Sequence, residues 1–354
     1  MKALVLSGGR GTRLRPITHT RAKQLIPVAN QPVLFYGLNA ITEAGIKQVG
    51  IVVGETQEEI RSAVGNGKRF GFQAEYIYQS EPLGLAHAVL ISKDFLEDEP
   101  FVMYLGDNLL KSGIKKFVER FQDERANARI LLARVKNPNQ FGVAKLKAER
   151  VIRLVEKPKK PKSDLALVGV YIFDKNIHQA VRKIKPSLRN ELEITDAIQW
   201  LIDNGKKVDY QVVDGWWKDT GKVEDLLEAN QMILNELETE ILGKVDKKTR
   251  VEFKVKIEKG AIIRRSKIRG PAIIGANSLI EDAYIGPWTS IGENCIVQKA
   301  EVEHSIVMAE SRIENLSRRI SDSLIGRNVI ARGCKTKPET FKLIIGDSSE
   351  VDLG

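Results

Sequence analysis

The sequence is poor in the residues that build covalent or metal-held frameworks. Its 354 residues include two cysteines, Cys295 and Cys334, with no CxxC spacing. That excludes a disulfide framework and a zinc knuckle, and it points to a reducing cytoplasm. The four histidines, at positions 19, 87, 178 and 304, are scattered without metal-ligand or nucleophile spacing and all read as structural. No run approaches the ~20 apolar residues of a membrane span. "MKALVLSGG" is interrupted by glycine too soon to be a signal peptide. The net charge of +10 comes without a helix-turn-helix, RNP or finger signature, so neither nucleic acid nor membrane is an expected partner.

What remains is an ordinary globular composition, 42% hydrophobic and 29% charged, long enough for two domains. The first two-thirds alternate strand and helix patterns. "ALVL" (Ala3–Leu6), "VGIVVG", "AEYIYQ" and "FVMYLGD" read as strands, and "PVLFYGLNAITEAG" (Pro32–Gly45) opens on proline and closes on glycine as helices do. This predicts an α/β domain with a Rossmann-like, mixed but mostly parallel sheet, its ligands beyond the carboxyl ends of the strands. From about Gly260 the texture changes. "IGANSL", "IGPWTS", "IGENCI" and "IGRNVI" share one frame, and Ile268, Ile274 and Ile280 are spaced by six, as are Ile285, Ile291 and Val297. That is the hexapeptide pattern of a parallel β-helix, here expected to be left-handed. The expected domains are 1–242, ending in a bridging helix Glu224–Leu242, and 243–354.

The densest signal is "LSGGRGTRLRPITHTRAKQLIP" (Leu6–Pro27), with three glycines, four arginines and a lysine behind an apolar strand. A P-loop pattern is absent, and Leu14 stands where a dinucleotide fingerprint needs its third glycine. Gly8, Gly9 and Gly11 still allow backbone N–H groups to converge on oxyanions. Arg13 offers a bidentate charge for phosphate and Lys23 a compact one. "EKPKKPK" (Glu156–Lys162), a second basic stretch with two prolines, reads as a loop.

Together with "YQSEPLGLAHA", "YLGDNLL", "FGVAKL", "LVEKP", "VGVYIF", "RNELEITDAI" and "WWKDTG", this block resembles the sugar nucleotidyltransferases, in particular their thymidylyltransferase branch with a C-terminal extension. The resemblance implies a triphosphate cradle at Gly8, Gly9, Gly11, Thr12 and Arg13, with Lys23 on phosphate and Gln79 and Gly84 reading the pyrimidine. It implies a Mg²⁺ site at Asp107 and Asp219. It also implies a sugar-phosphate site at Gly142, Glu156, Lys157 and Glu193. Val168 stands where many relatives carry threonine. The implied substrates are dTTP and glucose 1-phosphate, with UTP and glucose or N-acetylglucosamine 1-phosphate as the alternative.

The chemistry agrees with the shortage of histidine. A phosphate monoester has its second pKa near ~6, so a sugar 1-phosphate attacks as a dianion and needs no general base. Holding two polyanions together is the task, and it falls to Arg13, Lys23, Asp107 and Lys157. In the β-helix region "SRIENLSRRISDSLIG" resembles the acyl-transfer segment of the bifunctional uridylyltransferase/acetyltransferases; the resemblance puts Asn315 where they carry a histidine, and an amide cannot take up its proton. That region is expected to join subunits, a homo-oligomer with a trimer favoured, and not to transfer acetyl groups.

Overall fold

The computed structural model describes residues 1–124, 126–333 and 342–352. Cys334 lies outside them. Among the described residues no helix is long and apolar enough to cross a membrane. The chain forms two compact units. Met1–Arg10, Arg21–Leu25 and Val33–Asp219 make the first, while Gly11–Thr20, Ile26–Pro32 and the chain from Thr220 onward make the second.

The first unit is built on a nine-stranded sheet. In spatial order its main path runs Arg150–Glu156, Gly142–Lys147, Leu165–Phe173, Phe101–Leu105, Lys2–Leu6, Gln48–Val53 and Gln73–Tyr78. Lys2–Leu6 is parallel to both of its neighbours, and Gln48–Val53 is parallel to Gln73–Tyr78. The later strands alter the expectation of a mostly parallel sheet. Leu165–Phe173 runs antiparallel to Phe101–Leu105 and Ala128–Arg134, and Gly142–Lys147 pairs antiparallel with Arg150–Glu156. For the last pair the reason is connection length, since the two residues between Lys147 and Arg150 can only close an antiparallel hairpin.

Lys2–Leu6 and Phe101–Leu105 are almost wholly apolar because both sheet faces are covered. Ala3, Val5, Val102 and Tyr104 enter one core, and Leu4, Phe101 and Met103 enter the other. From Lys2–Leu6 the chain winds to one side through Gln48–Val53 and Gln73–Tyr78, then returns to Phe101–Leu105 on the other. The crevice between Leu6 and Leu105 is therefore the point where the winding reverses, the general ligand position of such sheets.

The second unit contains three sheets of six, six and four short strands, every pair of them parallel, consistent with the expected left-handed β-helix. Ile268, Ile274 and Ile280 lie on three successive faces, and all three are fully buried along its axis. The central coils take seventeen residues each, as the Glu281 and Gln298 side chains stacked on neighbouring coils show, while the steps from Ile296 to Arg312 and from Arg312 to Ile330 take sixteen and eighteen. The six-residue spacing thus holds within a coil and shortens by one where the next begins. Corners are turned by residues at positive φ, among them Asn277, Asn294, Asn315 and Asn328, because asparagine tolerates the left-handed region better than most side chains.

The helix expected over Glu224–Leu242 stops at Leu234, its C-cap being Asn235. Glu240–Ile241 pairs instead with Lys256–Ile257 as a rung of the coil, and the Leu242 N–H donates to the Ile257 carbonyl at 2.8 Å. Ladder pairing overrides helical periodicity there. The helix docks through fully buried Asn230, whose side-chain oxygen accepts from the Ser290 hydroxyl (2.6 Å) and whose amide donates to the Trp288 carbonyl (2.9 Å).

Candidate active site

Three strand ends of the first unit deliver the first of the predicted residues. Gly8 and Gly9 follow Leu6, Gln79 follows Tyr78, and Asp107 follows the Leu105–Gly106 turn. The Gly106 N–H donates to the Leu6 carbonyl at 2.9 Å and the Gln79 N–H to the Val53 carbonyl at 2.8 Å, so these turns are stitched to one another. Lys23 lies against Gly9, where a Cβ would come within 3.2 Å of its Cε. Its ammonium pairs with the Asp107 carboxylate. Asp219 comes from far along the chain. Its strand, Trp217–Asp219, runs antiparallel to Asn108–Leu110 with Asp219 opposite Asn108. The pairing therefore sets Asp219 opposite the residue that follows Asp107.

The pair expected to read the pyrimidine is held by geometry. Gly84 has φ +104°, and a Cβ there would stand 2.4 Å from the Leu192 carbonyl oxygen, so only glycine fits. The Gln79 amide donates to the Gly84 carbonyl at 3.4 Å and lies 3.0 Å from His87 Nδ1. Burial holds the His87 pKa below its ordinary value, against the pull of Glu81. In the neutral ring Nδ1 can accept the Gln79 proton. His87, unremarkable in sequence, fixes which way Gln79 points.

A second cluster forms around Glu156. Gly142 faces Glu156 across the strand pair, and a Cβ on Gly142 would meet the Thr195 methyl at 2.7 Å and Glu156 Oε2 at 3.1 Å. Thr195 donates to Glu156 (3.3 Å) and Ser187 to Glu193 (2.8 Å). Lys157, at φ +39°, sits with its ammonium 3.9 Å from Glu156 and its N–H on the Phe141 carbonyl (3.0 Å). Arg189 was not singled out in the sequence, yet its guanidinium reaches Glu156 (3.3 Å), Glu191 (2.8 Å) and Glu193 (3.6 Å). The signal was its place amid the carboxylates of "RNELE". Val168 is fully buried in the core and exposes no polar group to a sugar.

Burial and then the facing Glu193 push the Glu156 carboxyl above its usual range, with Lys157, Arg189 and Thr195 pulling it back. A carboxyl whose pKa is raised by folding binds its proton more readily folded. Its contribution to stability is full below the unfolded pKa and is lost as pH rises through the folded one. Glu156→Gln should therefore melt higher than the parent at pH 7, the gap closing as pH falls below the ordinary carboxyl range. Melting curves from pH 4 to 8 check this; a gap that widened toward acid would contradict the assignment.

Gly11, Thr12 and Arg13 belong to the second unit. Gly11, at φ +63°, opens the short helix Thr12–Leu14, and its carbonyl accepts from the Thr18 hydroxyl at 2.7 Å. Arg13 is exposed.

Among the described residues no group of three or more His, Cys, Asp or Glu side chains gathers as a metal cage. Asp107 and Asp219 offer oxygen donors alone, and the Lys23 ammonium already occupies Asp107 with positive charge. That donor set fits Mg²⁺, which needs only one or two carboxylates beside substrate phosphates.

A site of this composition handles oxyanions, and at the switch point of a doubly wound sheet it defines a phosphoryl- or nucleotidyl-transferring protein. The chain belongs to the nucleotidyl transferase family, whose model matches residues 2–236. It is 56% identical to the glucose-1-phosphate thymidylyltransferase of Streptomyces antibioticus over all of this chain and 99% of that one. It is 37% identical to the bifunctional protein GlmU of Methanocaldococcus jannaschii over 95% of this chain, spanning 80% of that protein. Among solved structures, UDP-glucose pyrophosphorylase complexed with UDP-glucose superposes with TM-score 0.60 at 26% identity, covering 66% of this chain and 98% of that one.

Proposed function

We propose that the protein condenses dTTP with α-D-glucose 1-phosphate to dTDP-glucose and pyrophosphate, with Mg²⁺. The observation that carries this reading is the end-to-end 56% identity to a thymidylyltransferase. Bound Mg²⁺ would neutralise phosphate charge as it shifts to the leaving group. The protein's part is to hold the reactants. Gly8 and Gly9 admit the triphosphate to the strand ends, with Lys23 and Arg13 supplying cations for it. Gln79 and Gly84 read the pyrimidine edge, Glu156 and Glu193 accept from sugar hydroxyls, and Lys157 holds the attacking phosphate. Pyrophosphate release across dTTP and UTP against glucose and N-acetylglucosamine 1-phosphates tests the reading. Fastest release with dTTP and glucose 1-phosphate is expected; a clear preference for UTP would replace it with a uridylyltransferase. Both substrates are charged metabolites of the cytoplasm, where we place the enzyme.

Acetyl transfer is not part of this reading. Asn315 serves as a coil corner at φ +56°. His304 Nδ1 lies 2.6 Å from Asp322, while its Nε2 is buried without a hydrogen-bond partner and so presents no base to a substrate.

The β-helix is proposed to join copies of the chain, and the differences among its three faces support one of them as the interface. On one face Ile273, Ser290 and Ile306 point outward yet are buried, with the Val223–Leu234 helix bonded to Ser290. A second face presents Arg250, Lys267, Tyr284 and Glu301 in register. The third stacks Ile262, Leu279 and Ile296 in one outward column. Beside it run Arg264, Glu281, Gln298, Glu314 and Arg332, charges of both signs that a second copy can match. Light scattering after gel filtration should give a trimer, and Leu279→Arg with Ile296→Arg should give monomer. A monomeric parent refutes the oligomer; an oligomer that survives the double change, but not Tyr284→Arg, refutes the face.

A further inference from the structure

Asn108 is 3% exposed and every polar atom of its amide is used. Its Nδ2 donates to Asp107 Oδ1 at 3.2 Å, and its Oδ1 accepts from the Trp217 indole N–H at 2.5 Å. The two partners are chemically one-sided, because an indole N–H only donates and a carboxylate only accepts. Between them they fix the amide in one orientation. Reversed, Asn108 would turn its carbonyl toward Asp107 and leave the indole facing an NH₂ group. Trp217 lies two residues before Asp219 on the strand that pairs with Asn108–Leu110, so the same bond staples the strands that carry both acidic residues. The indole also meets Phe141 in a T-shaped contact, ring centroids 5.3 Å apart. Phe141 precedes Gly142, and its carbonyl holds the Lys157 N–H.

We propose that Trp217 is a positioning residue serving both halves of the site: through Asn108 it aims the Asp107 carboxylate, and through Phe141 it steadies the peptide that carries Lys157. The inference rests on the nucleotidyltransferase reading above, and it divides one side chain into two separable functions. The N–H serves the metal side and the ring face serves the sugar-phosphate side. Groups that orient metal-binding side chains typically contribute 10–100-fold to metal affinity.

Trp217→Phe keeps a ring against Phe141 and deletes the N–H. Mn²⁺ affinity, read from loss of the free-ion paramagnetic resonance signal with dTTP present and sugar phosphate absent, is expected to fall about tenfold, with KM for glucose 1-phosphate within twofold of the parent. Trp217→His, which retains a ring N–H, should recover most of the Mn²⁺ affinity. Phe141→Leu should give the converse, a raised KM for the sugar phosphate at unchanged Mn²⁺ affinity. Should Trp217→Phe fail to fold, Asn108→Ser breaks the relay from its other end and is judged by the same Mn²⁺ measurement. Unchanged Mn²⁺ affinity in the variant that folds, or equal losses of metal and sugar-phosphate binding in both Trp217→Phe and Phe141→Leu, overturns the proposal. An active parent separates that failure from failure of the functional reading, which would appear as no pyrophosphate release with any substrate pair.

Discussion

Asp107→Asn and Asp219→Asn should each lower kcat at least ~100-fold, about 2.7 kcal/mol in the barrier, with the melting temperature little changed. Asp107 stands at the carboxyl end of a buried strand, and the pairing of Trp217–Asp219 with Asn108–Leu110 sets Asp219 opposite the residue that follows it. Asparagine keeps the shape and removes the charge, so folding survives while a cation loses its anchor. For Asp107 the substitution also releases Lys23, whose ammonium is paired with that carboxylate. Steady-state kinetics over a range of Mg²⁺ concentrations decide the matter. Turnover within about threefold of the parent, well under 1 kcal/mol, would remove that residue from the metal site.

Lys157→Ala and Arg13→Ala should fail in opposite directions. Lys157 is anchored beside Glu156, among Arg189, Glu193 and Thr195, so its loss should fall on the sugar phosphate. Arg13 follows the glycine loop on a separate short helix, so its loss should fall on the triphosphate. Each effect should be about 10- to 150-fold in kcat/KM for the affected substrate, the ~1.5–3 kcal/mol of a hydrogen bond to a charged group. Saturation curves for both substrates with both variants provide the test. Equal losses for the two substrates in either variant would show its role misassigned.

The parts of this molecule legible in sequence are those written locally. The glycine loop and Asp107 follow apolar strands directly, and strand ends are where such sheets meet ligands. The β-helix announced itself because each coil repeats its neighbour. What stayed hidden was partnership between distant side chains. Trp217 and Asn108 are 109 residues apart, Arg189 and Glu156 are 33 apart, and no periodicity says which residue meets which. His87 looked structural because the histidines show no metal-ligand or nucleophile spacing; its significance is its contact with Gln79. The helix overrun to Leu242 has a different cause. "EDLLEANQMILNELETEIL" keeps a helical spacing of apolar residues to its end, but Glu240–Ile241 gains more from a strand partner than from another turn.

The stacking of coils governs how this chain can change length. Each rung touches only the rungs above and below, so cohesion is summed along one dimension. Where a coil departs from seventeen residues, as between Ile296 and Arg312 and again between Arg312 and Ile330, the strands stay in register and the corners take up the difference. Removing a whole coil leaves the register of all the others intact. The prism can therefore be shortened or extended by whole storeys, and single residues gained or lost belong at a corner, where the ladders on either side keep their pairing.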